Sequence, residues 1–414
     1  MSQSLLIHMV THVFASIGIS ISLLAVGATS DNASEDEFDV EAPYGFVGPI
    51  ALKNSRLLAL DRMTMTRLFS MDGGGTWKAG GALVDAEGRM VLEAAHRRGH
   101  LPSILRLASG GIAVKYNVAD SDGDTSKLIA FVVQSIDDGA TWSKPIRITP
   151  PGSRSNATWL VQTSKGRWVL PSEYWFTQPG DRGIGICAAF YSETNGQTWR
   201  ESRDTLWVWE KGGVEQGSCE VPIVVETAGG KLLMFMRTWY QRVAQSYSED
   251  GGETWSPATL NDLVSSNSEI FLTCIPKTND LLCVWNQADT QEIHDGYYRA
   301  RLTAAISKDS GASWSHFRTV RQSPGQRELG RIPAEGEPKL LRTPIAVPTE
   351  KKMLAGEFHM NRAPRIHFVD DRAFVRYTHR RYKYVAGKLQ RFVNQTRLRV
   401  VASEWFYESG EAAK

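Results

Sequence analysis

Short runs in which apolar and polar residues alternate fill most of the chain, and each run breaks at a glycine or asparagine turn. Residues 219–239, CEVPIVVETAGGKLLMFMRTW, alternate, turn at Gly229–Gly230 and resume as a second apolar run that ends on Arg237. This period of two predicts β-hairpins, and helical periodicity is scarce. Four further stretches have the same form: LPSILRLASGGIAVKYN (101–117), WLVQTSKGRWVLPSEYW (159–175), FLTCIPKTNDLLCVWNQ (271–287) and PRIHFVDDRAFVRYTH (364–379).

A second repeat lies between these hairpins. Its tryptophans are 65, 57, 56 and 59 residues apart, which leaves room for one further unit after the last copy. Asp can bind turn amides, Gly can adopt positive φ and Trp can fill an apolar layer, so each copy predicts a tight turn that stabilises a sheet. No GK[ST] follows, which argues against a phosphate loop, whereas glycan binding at these turns stays open. The five copies are SMDGGGTW (70–77), SIDDGATW (135–142), SETNGQTW (192–199), SEDGGETW (248–255) and SKDSGASW (307–314).

Units of about sixty residues with four short strands each predict the blades of a β-propeller. The length after the first 42 residues accommodates six blades, so we expect an all-β, six-bladed β-propeller over residues 43–414. Inner strands of a propeller line a central channel, and chemistry is expected near their ends. The hairpin 219–239 is then the inner half of one blade.

Charge and cysteine content narrow the functional classes. A net charge of +2 is too small for whole-molecule attraction to nucleic acid. The cluster from 361 to 399 has eleven Lys or Arg against Asp370 and Asp371, although its alternation also suits the solvent face of a strand. The cysteines show no CxxC pair and no zinc spacing, so we expect small buried residues, no metal and no cofactor. They are Cys187, Cys219, Cys274 and Cys283.

The first 42 residues read as a signal segment followed by an acidic linker. Residues 13–28 are apolar and uncharged and end in small residues that suit a cleavage site. Residues 31–41 then carry six acids without a base, which is typical of a solvated linker. We therefore expect secretion or a periplasmic location, with no membrane insertion after the signal is removed.

The five boxes, the sixty-residue unit and several ordered phrases resemble the sialidase (neuraminidase) superfamily, in its bacterial sialidase-like branch. The resemblance covers residue 45 to the end. It implies a six-bladed propeller in which three arginines bind a sugar carboxylate and a tyrosine nucleophile, a glutamate and an aspartate hydrolyse the glycoside. The phrases are LLMFMRTW (232–239), IPKTNDLLCVWN (275–286), LTAAISKDSGASW (302–314) and LRVVASEWFYE (398–408).

The resemblance assigns two arginines and leaves the third open. The second arginine of the triad corresponds to Arg237 and the third to Arg299. The first is expected before an inner strand of the first blade, where this chain has His100-Leu101-Pro102, with Arg97 and Arg98 nearby. His100 and Arg362 are the further candidates for substrate binding.

The residues of bond cleavage are less well matched. The catalytic aspartate belongs to the loop NVADSDGDTSK (117–127), and a polar surface turn is the alternative. The activating glutamate of the family corresponds to Val221, so Glu220 enters the site only if a bulge or the preceding loop re-aims it. The nucleophilic tyrosine is missing from 361–366, and Tyr298 is a substitute. The loop offers Asp120, Asp122 and Asp124.

Three functions follow, each with an acidic glycan as the partner. The first is an exo-glycosidase that releases a terminal sialic acid or a related acidic sugar, bound by Arg237 and Arg299. The second is a hydrolase or lyase for uronic-acid polysaccharide, in which a Tyr or His base removes the proton beside the neutralised carboxylate. The third is a glycan-binding propeller without catalysis. The structural alternative is that Arg237, Arg299 or both pair with an internal acid such as Glu220.

Overall fold

The computed structural model describes residues 37–91, 100–119, 128–150, 153, 155–176, 184–209, 216–217, 219–338, 340–341 and 347–408. Strands dominate this part of the chain, as the alternating pattern predicts. Its single α-helix, α1, is Thr290–His294, and three short 3-10 turns lie at Glu350–Lys352, Leu354–Gly356 and Ser403–Tyr407. None of these helical segments has the length and apolar character of a bilayer span.

The first three sheets are antiparallel meanders that follow the order of the chain. In the third sheet two short strands, β10 and β11, share the inner position beside β12. Blade 1 is β2 (Phe46–Ala51), β3 (Leu57–Asp61), β4 (Thr66–Ser70) and β5 (Lys78–Ala82); blade 2 is β6 (His100–Arg106), β7 (Ile112–Ala119), β8 (Leu128–Ser135) and β9 (Ile146–Arg147); blade 3 is β10 (Ser155–Ala157), β11 (Val161–Gln162), β12 (Trp168–Phe176), β13 (Ile184–Ser192) and β14 (Arg200–Glu201).

The remaining sheets complete the six predicted blades, and a small ribbon lies between blades 3 and 4 in the chain. The ribbon is β15 (Val208–Trp209) with β16 (Gln216–Gly217). Blade 4 is β17 (Glu220–Glu226), β18 (Leu232–Arg237), β19 (Arg242–Ser248) and β20 (Thr259–Val264); blade 5 is β21 (Phe271–Cys274), β22 (Leu281–Trp285), β23 (Leu302–Ser307) and β24 (Ser315–Arg321); blade 6 is β25 (Phe358–Val369), β26 (Arg372–Val385) and β27 (Lys388–Ala402), joined by β1 (Phe38–Ala42).

The two ends of the propeller meet in blade 6. Strand β1 pairs with β27 in the register Phe38↔Val400 to Ala42↔Thr396, and inner strand β25 contacts β2 of blade 1 and β21 of blade 5. The propeller therefore begins before the predicted boundary at residue 43, because residues 38–42 form the outermost strand of blade 6 rather than the end of a linker. Residues 1–36, including the predicted signal segment, lie outside the described residues.

Each predicted turn connects the third strand of a blade to its outer strand, from blade 1 to blade 5. In blade 1 the Ser70 hydroxyl accepts a hydrogen bond from Gly74 N (2.9 Å), and the Asp72 carboxylate accepts from Thr76 N (2.9 Å) and Thr76 Oγ1 (2.6 Å). In blade 3 Thr194 replaces the aspartate, and its Oγ1 accepts from Thr198 N (2.8 Å). The turns satisfy their own amides, so their described geometry accounts for them as structural elements.

Candidate active site

Two charged residues lie opposite each other at one end of the central channel, which we call the channel mouth. Glu220 begins the inner strand β17 and Arg237 ends the second strand β18, and the two are partners in the strand register. The register shifts between Glu220 and Ile223, and Val221 has φ +46°. Glu220 was expected to enter the site only if a bulge re-aimed it. This β-bulge does so, because the extra residue changes which side chain faces inward.

Glu220 is buried and fully engaged by its neighbours. Its Oε2 accepts hydrogen bonds from Arg237 Nε at 2.7 Å and lies 2.5 Å from Arg237 Nη2, while its Oε1 accepts from Trp239 Nε1 at 3.0 Å. The side chain of Glu220 is 1% exposed and that of Arg237 is 18% exposed. The pairing of Arg237 with an internal acid, which the sequence left as an alternative, is confirmed, and the Arg237 side chain remains partly exposed.

Glu173, on β12 of blade 3, adds a second carboxyl group behind this pair. Its Oε2 accepts from Val221 N at 2.5 Å and its Oε1 accepts from Asn156 Nδ2 at 2.7 Å. Burial raises the pKa of Glu173, and Glu220 raises it further, while Arg237 opposes the change. Glu173 therefore holds the bulge through Val221 N, and the charge of Arg237 acts on both Glu173 and Glu220.

Arg299 is buried at the channel mouth without a carboxylate partner among the described residues. Its Nη2 donates to Asn267 O at 3.1 Å, and its Cζ lies 5.0 Å from the centroid of the Tyr298 ring. Burial lowers the pKa of Arg299 to about 10, and Arg362 and Arg237 add to the decrease through charge repulsion. The guanidinium groups of Arg299, Arg362 and Arg237 are therefore close enough to repel one another.

Three buried polar atoms in this neighbourhood have no hydrogen-bond partner among the described residues. They are Arg299 Nε, Asn267 Nδ2 and the Tyr298 hydroxyl. Buried polar groups in native proteins almost always have partners, supplied by protein, water or a ligand. Two unpaired donors and a phenol thus lie beside a cation that has no ion pair among the described residues.

Glu269 partly offsets the positive charge from the neighbouring blade. It lies just before β21 and accepts from Arg365 Nη2 at 2.5 Å, while Arg362 Nη2 is 3.7 Å away. Burial opposes its charge, but Arg365 first and then Arg362 and Arg237 outweigh burial and lower the pKa of Glu269 to about 2. Glu269 is therefore ionised and hydrogen-bonded to Arg365 with Arg362 at ion-pairing distance, whereas Arg299 has no ion pair among the described residues.

The other predicted site residues have different outcomes. His100 begins β6, which is the inner strand of blade 2 and not of blade 1 as the sequence suggested, because β2 is the first inner strand; its side chain lies outside the described part, and its role in substrate binding stays a prediction. Asp120, Asp122 and Asp124, together with Arg97 and Arg98, lie outside the described residues. Tyr298 lies beside Arg299, and no described contact joins its hydroxyl to Glu220.

Sequence reasoning missed Glu173, Glu269 and Asn267. Glu269 lies two residues before inner strand β21 and Glu220 is the first residue of inner strand β17, so alignment of the blades to one another is a signal that could find it. Glu173 is an acid inside the apolar run WVLPSEYWF, which is itself unusual for a buried strand. Asn267 lies in the serine-rich segment before β21 and carries no sequence signal.

A cavity of about 840 Å³ lies at the other end of the channel, away from these charges. It is lined by the later halves of the inner strands of all six blades, including Ile50, Ile104, Val225, Phe271 and Ile366. Trp159 belongs to its wall and stacks on Arg365, whose Cζ is 3.6 Å from the ring centroid. The lining of this cavity is mainly apolar, although Arg106, Glu226 and His367 also belong to it.

Comparison with known proteins is consistent with this architecture. A comparison with curated protein sequences found no match. Among solved structures, a protein of unknown function from Dyadobacter fermentans is 15% identical, with coverage of 89% of this chain and 98% of the other and a TM-score of 0.56. The NanB sialidase from Streptococcus pneumoniae is 12% identical, with coverage of 87% and 70% and a TM-score of 0.52. At these identities the likeness shows the fold.

The family assignment comes from the sequence. Residues 61–382, which span blades 1 to 6, match the BNR repeat-like domain. The five turns and the six sheets fall within or directly beside this match. The chain therefore belongs to the BNR repeat-like domain family.

Proposed function

We propose that this protein acts on glycans that end in an acidic sugar and that the channel mouth binds the sugar carboxylate. The observation that supports this most strongly is the buried, uncompensated Arg299 with the unpaired donors beside it. A guanidinium forms strong two-pronged hydrogen bonds to a carboxylate when water is excluded. Arg362 and the partly exposed Arg237 supply further positive charge to the same ligand.

The reaction that we propose is hydrolysis of the terminal glycosidic bond. Glu220 is the proposed base, since Arg237 and Trp239 fix both of its oxygens at the channel mouth. A positioned carboxylate of this kind activates a hydroxyl or a water by accepting its proton. The acid that protonates the leaving group is assigned to the loop with Asp120, Asp122 and Asp124, as the sialidase resemblance implies.

Elimination is the second candidate, and the position of Tyr298 favours it. In a lyase the base acts next to the carboxylate that an arginine neutralises, and Tyr298 lies against Arg299 with its hydroxyl unpaired. Burial raises the pKa of Tyr298, while Arg299 and Arg362 oppose the change. The phenol is therefore protonated at neutral pH, so Tyr298 acts as the base only if its own proton leaves as the proton of the substrate arrives.

The products distinguish these reactions. Sialyl-oligosaccharides and uronic-acid oligosaccharides are incubated with the protein, and free acidic sugar and unsaturated-uronate absorbance are both measured. Release of a saturated acidic monosaccharide supports hydrolysis, and new ultraviolet absorbance supports elimination. Binding of the acidic sugar without either product supports the non-catalytic function.

Two substitutions test the assigned roles, with a control in the same blade. Arg299→Met is expected to lower kcat/KM roughly tenfold to a hundredfold, because one charge-assisted contact is lost. Glu220→Gln is expected to lower kcat by about 10² to 10⁴. Arg318→Met removes the same charge from the outer strand β24 and should leave both constants unchanged. Full activity in Arg299→Met would contradict the proposed function.

A further inference from the structure

The strands of blade 6 extend past the channel mouth. Strands β25, β26 and β27 have 12, 14 and 15 residues, whereas no strand of the other blades exceeds nine. The excess of about five residues corresponds to roughly 17 Å of strand. The connection between β26 and β27 lies at the end of a second strand, as Arg237 does in blade 4, so the extension projects from the same side as the site.

The extension has two chemically different faces. The register pairs Met360↔Arg380, Phe358↔Tyr382 and Tyr382↔Arg391, and residues paired across antiparallel strands share a face. Arg362, two residues from Met360, lies on the same face. We call this the Arg380 face: Phe358, Met360, Arg362, Arg380, Tyr382 and Arg391. The opposite face carries Lys383 and Lys388, and Lys383 Nζ lies 5.1 Å from the centroid of the Phe392 ring.

The Arg380 face continues directly from the site. Arg362 and Arg380 both act on the Tyr298 phenol through their positive charge, and Tyr382 also acts on it. Phe358 packs between Tyr297 and Tyr382, with ring centroids 5.3 and 5.9 Å away. Positive charge therefore extends from Arg299 and Arg362 to Arg380 and, beside Tyr382 in the strand register, to Arg391, while the Phe358 ring beneath is buried.

Nothing in the sequence of the extension offsets this charge. Residues 372–402 contain no Asp or Glu. In the described part of the chain no carboxylate lies within ion-pairing distance of Arg380 or Arg391; Arg380 Nε donates to Asn394 Oδ1 at 2.9 Å. Arg391 is exposed. A surface that keeps two unpaired arginines beside aromatic rings and next to an anion site fits a second anionic sugar.

We propose that the Arg380 face is a second subsite that binds the next acidic sugar of the chain, so that the preferred ligand carries two consecutive acidic residues. This inference rests on the proposed function, since the first acidic sugar must occupy the Arg299 site. Arg380 and Arg391 supply the charge for the second carboxylate, and Tyr382 supplies a ring on which a sugar can stack.

The test compares monomer and dimer affinities. The probes are N-acetylneuraminic acid with its α2,8-linked dimer, and galacturonic acid with its α1,4-linked dimer, and binding is measured by calorimetry. For the pair that binds, the wild type is expected to prefer the dimer roughly fivefold to tenfold, in line with two partly exposed charge contacts. In the double variant Arg380→Gln/Arg391→Gln this preference should fall to about one while monomer affinity is retained.

The hairpin itself provides the matched control. Lys383→Gln/Lys388→Gln removes the same charge from the opposite face and should preserve the dimer preference. An unchanged preference in Arg380→Gln/Arg391→Gln, or an equal loss in both double variants, would overturn the second subsite. Single-stranded DNA bound as tightly as the dimer would overturn it too, since it indicates unspecific attraction to polyanions. Loss of monomer binding in Arg299→Met supports the proposed function. Loss of the dimer preference in Arg380→Gln/Arg391→Gln alone supports the second subsite.

Discussion

At the scale of single residues, the channel mouth carries more positive than negative charge. Glu220 holds Arg237 and Glu269 holds Arg365, yet Arg299 has no acid among the described residues. A buried cation without a partner is costly, and under the proposed function the ligand supplies the missing anion. Substitution of Arg237 alone is a less direct test of recognition, because it would also leave the buried Glu220 unpaired.

The ion pair of Glu269 predicts a specific loss of stability in acid. Its pKa lies at about 2 in the folded protein and near 4.5 ordinarily, so the stabilisation is present above pH 4.5 and is lost as the pH falls through this range toward 2. The loss is about 3 kcal/mol of unfolding free energy at most. Urea unfolding across this pH range should show a shallower acid decline in Glu269→Gln than in the wild type.

The exposed acid Glu193 provides the comparison for that measurement. Glu193→Gln should retain the acid decline of the wild type, because this carboxylate is half exposed and solvent screens its ion pair with Arg167. Parallel declines for the wild type and Glu269→Gln would show that Arg365 does not stabilise the ionised form of Glu269.

At the scale of elements, the sequence predicts the hairpins and turns. It does not predict which side chains of a strand face the channel. The period of two and the repeated Asp, Gly and Trp positions define the blades locally. Whether Glu220 faces the channel depends on the bulge at Val221, which needs the partner strand and the Glu173 carboxyl group to form. Glu173 comes from blade 3 and Val221 from blade 4, and such a contact has no local signal.

The turn of blade 3 gives an element-scale prediction. Thr194 has one oxygen where the other turns have a carboxylate, so Thr194→Asp should add an acceptor for Thr198, as Asp250 provides for Thr254 at 2.5 and 3.0 Å. We expect the unfolding free energy to rise by about 0.5 to 1 kcal/mol in denaturant titration. The reverse change, Asp250→Thr in blade 4, should lower it by a similar amount. Destabilisation by Thr194→Asp would contradict this description of the turn.

At the scale of the whole molecule, the ring of six sheets is closed at one point. There β1, from the start of the propeller, pairs with β27, from its end. Strand β1 contributes Phe38, Val40 and Ala42 to the apolar layer, and Asp39 accepts from Tyr377 Oη at 3.0 Å and pairs with Arg397. The sequence indicated the number of blades by its spacing but placed these residues in a linker, because their acids resemble those before them. Pairing between residues more than 350 positions apart in the chain leaves no local pattern.

Closure by β1 predicts that its removal destabilises the entire ring. A chain that begins at residue 43 should melt at least about 5 °C below a chain that begins at residue 37, since it exposes the edge of β27 and part of the apolar layer. Differential scanning calorimetry of the two chains measures this difference directly. Equal melting temperatures would show that the ring closes without β1.

The central claim is that Arg299 at the channel mouth recognises a sugar carboxylate, and one measurement addresses it directly. Calorimetry compares N-acetylneuraminic acid and galacturonic acid with their neutral methyl esters, in the wild type and in Arg299→Met. We predict that at least one acid binds the wild type about tenfold or more tightly than its ester, and that this ratio falls to about one in the variant. Equal binding of acid and ester by the wild type would contradict the assignment.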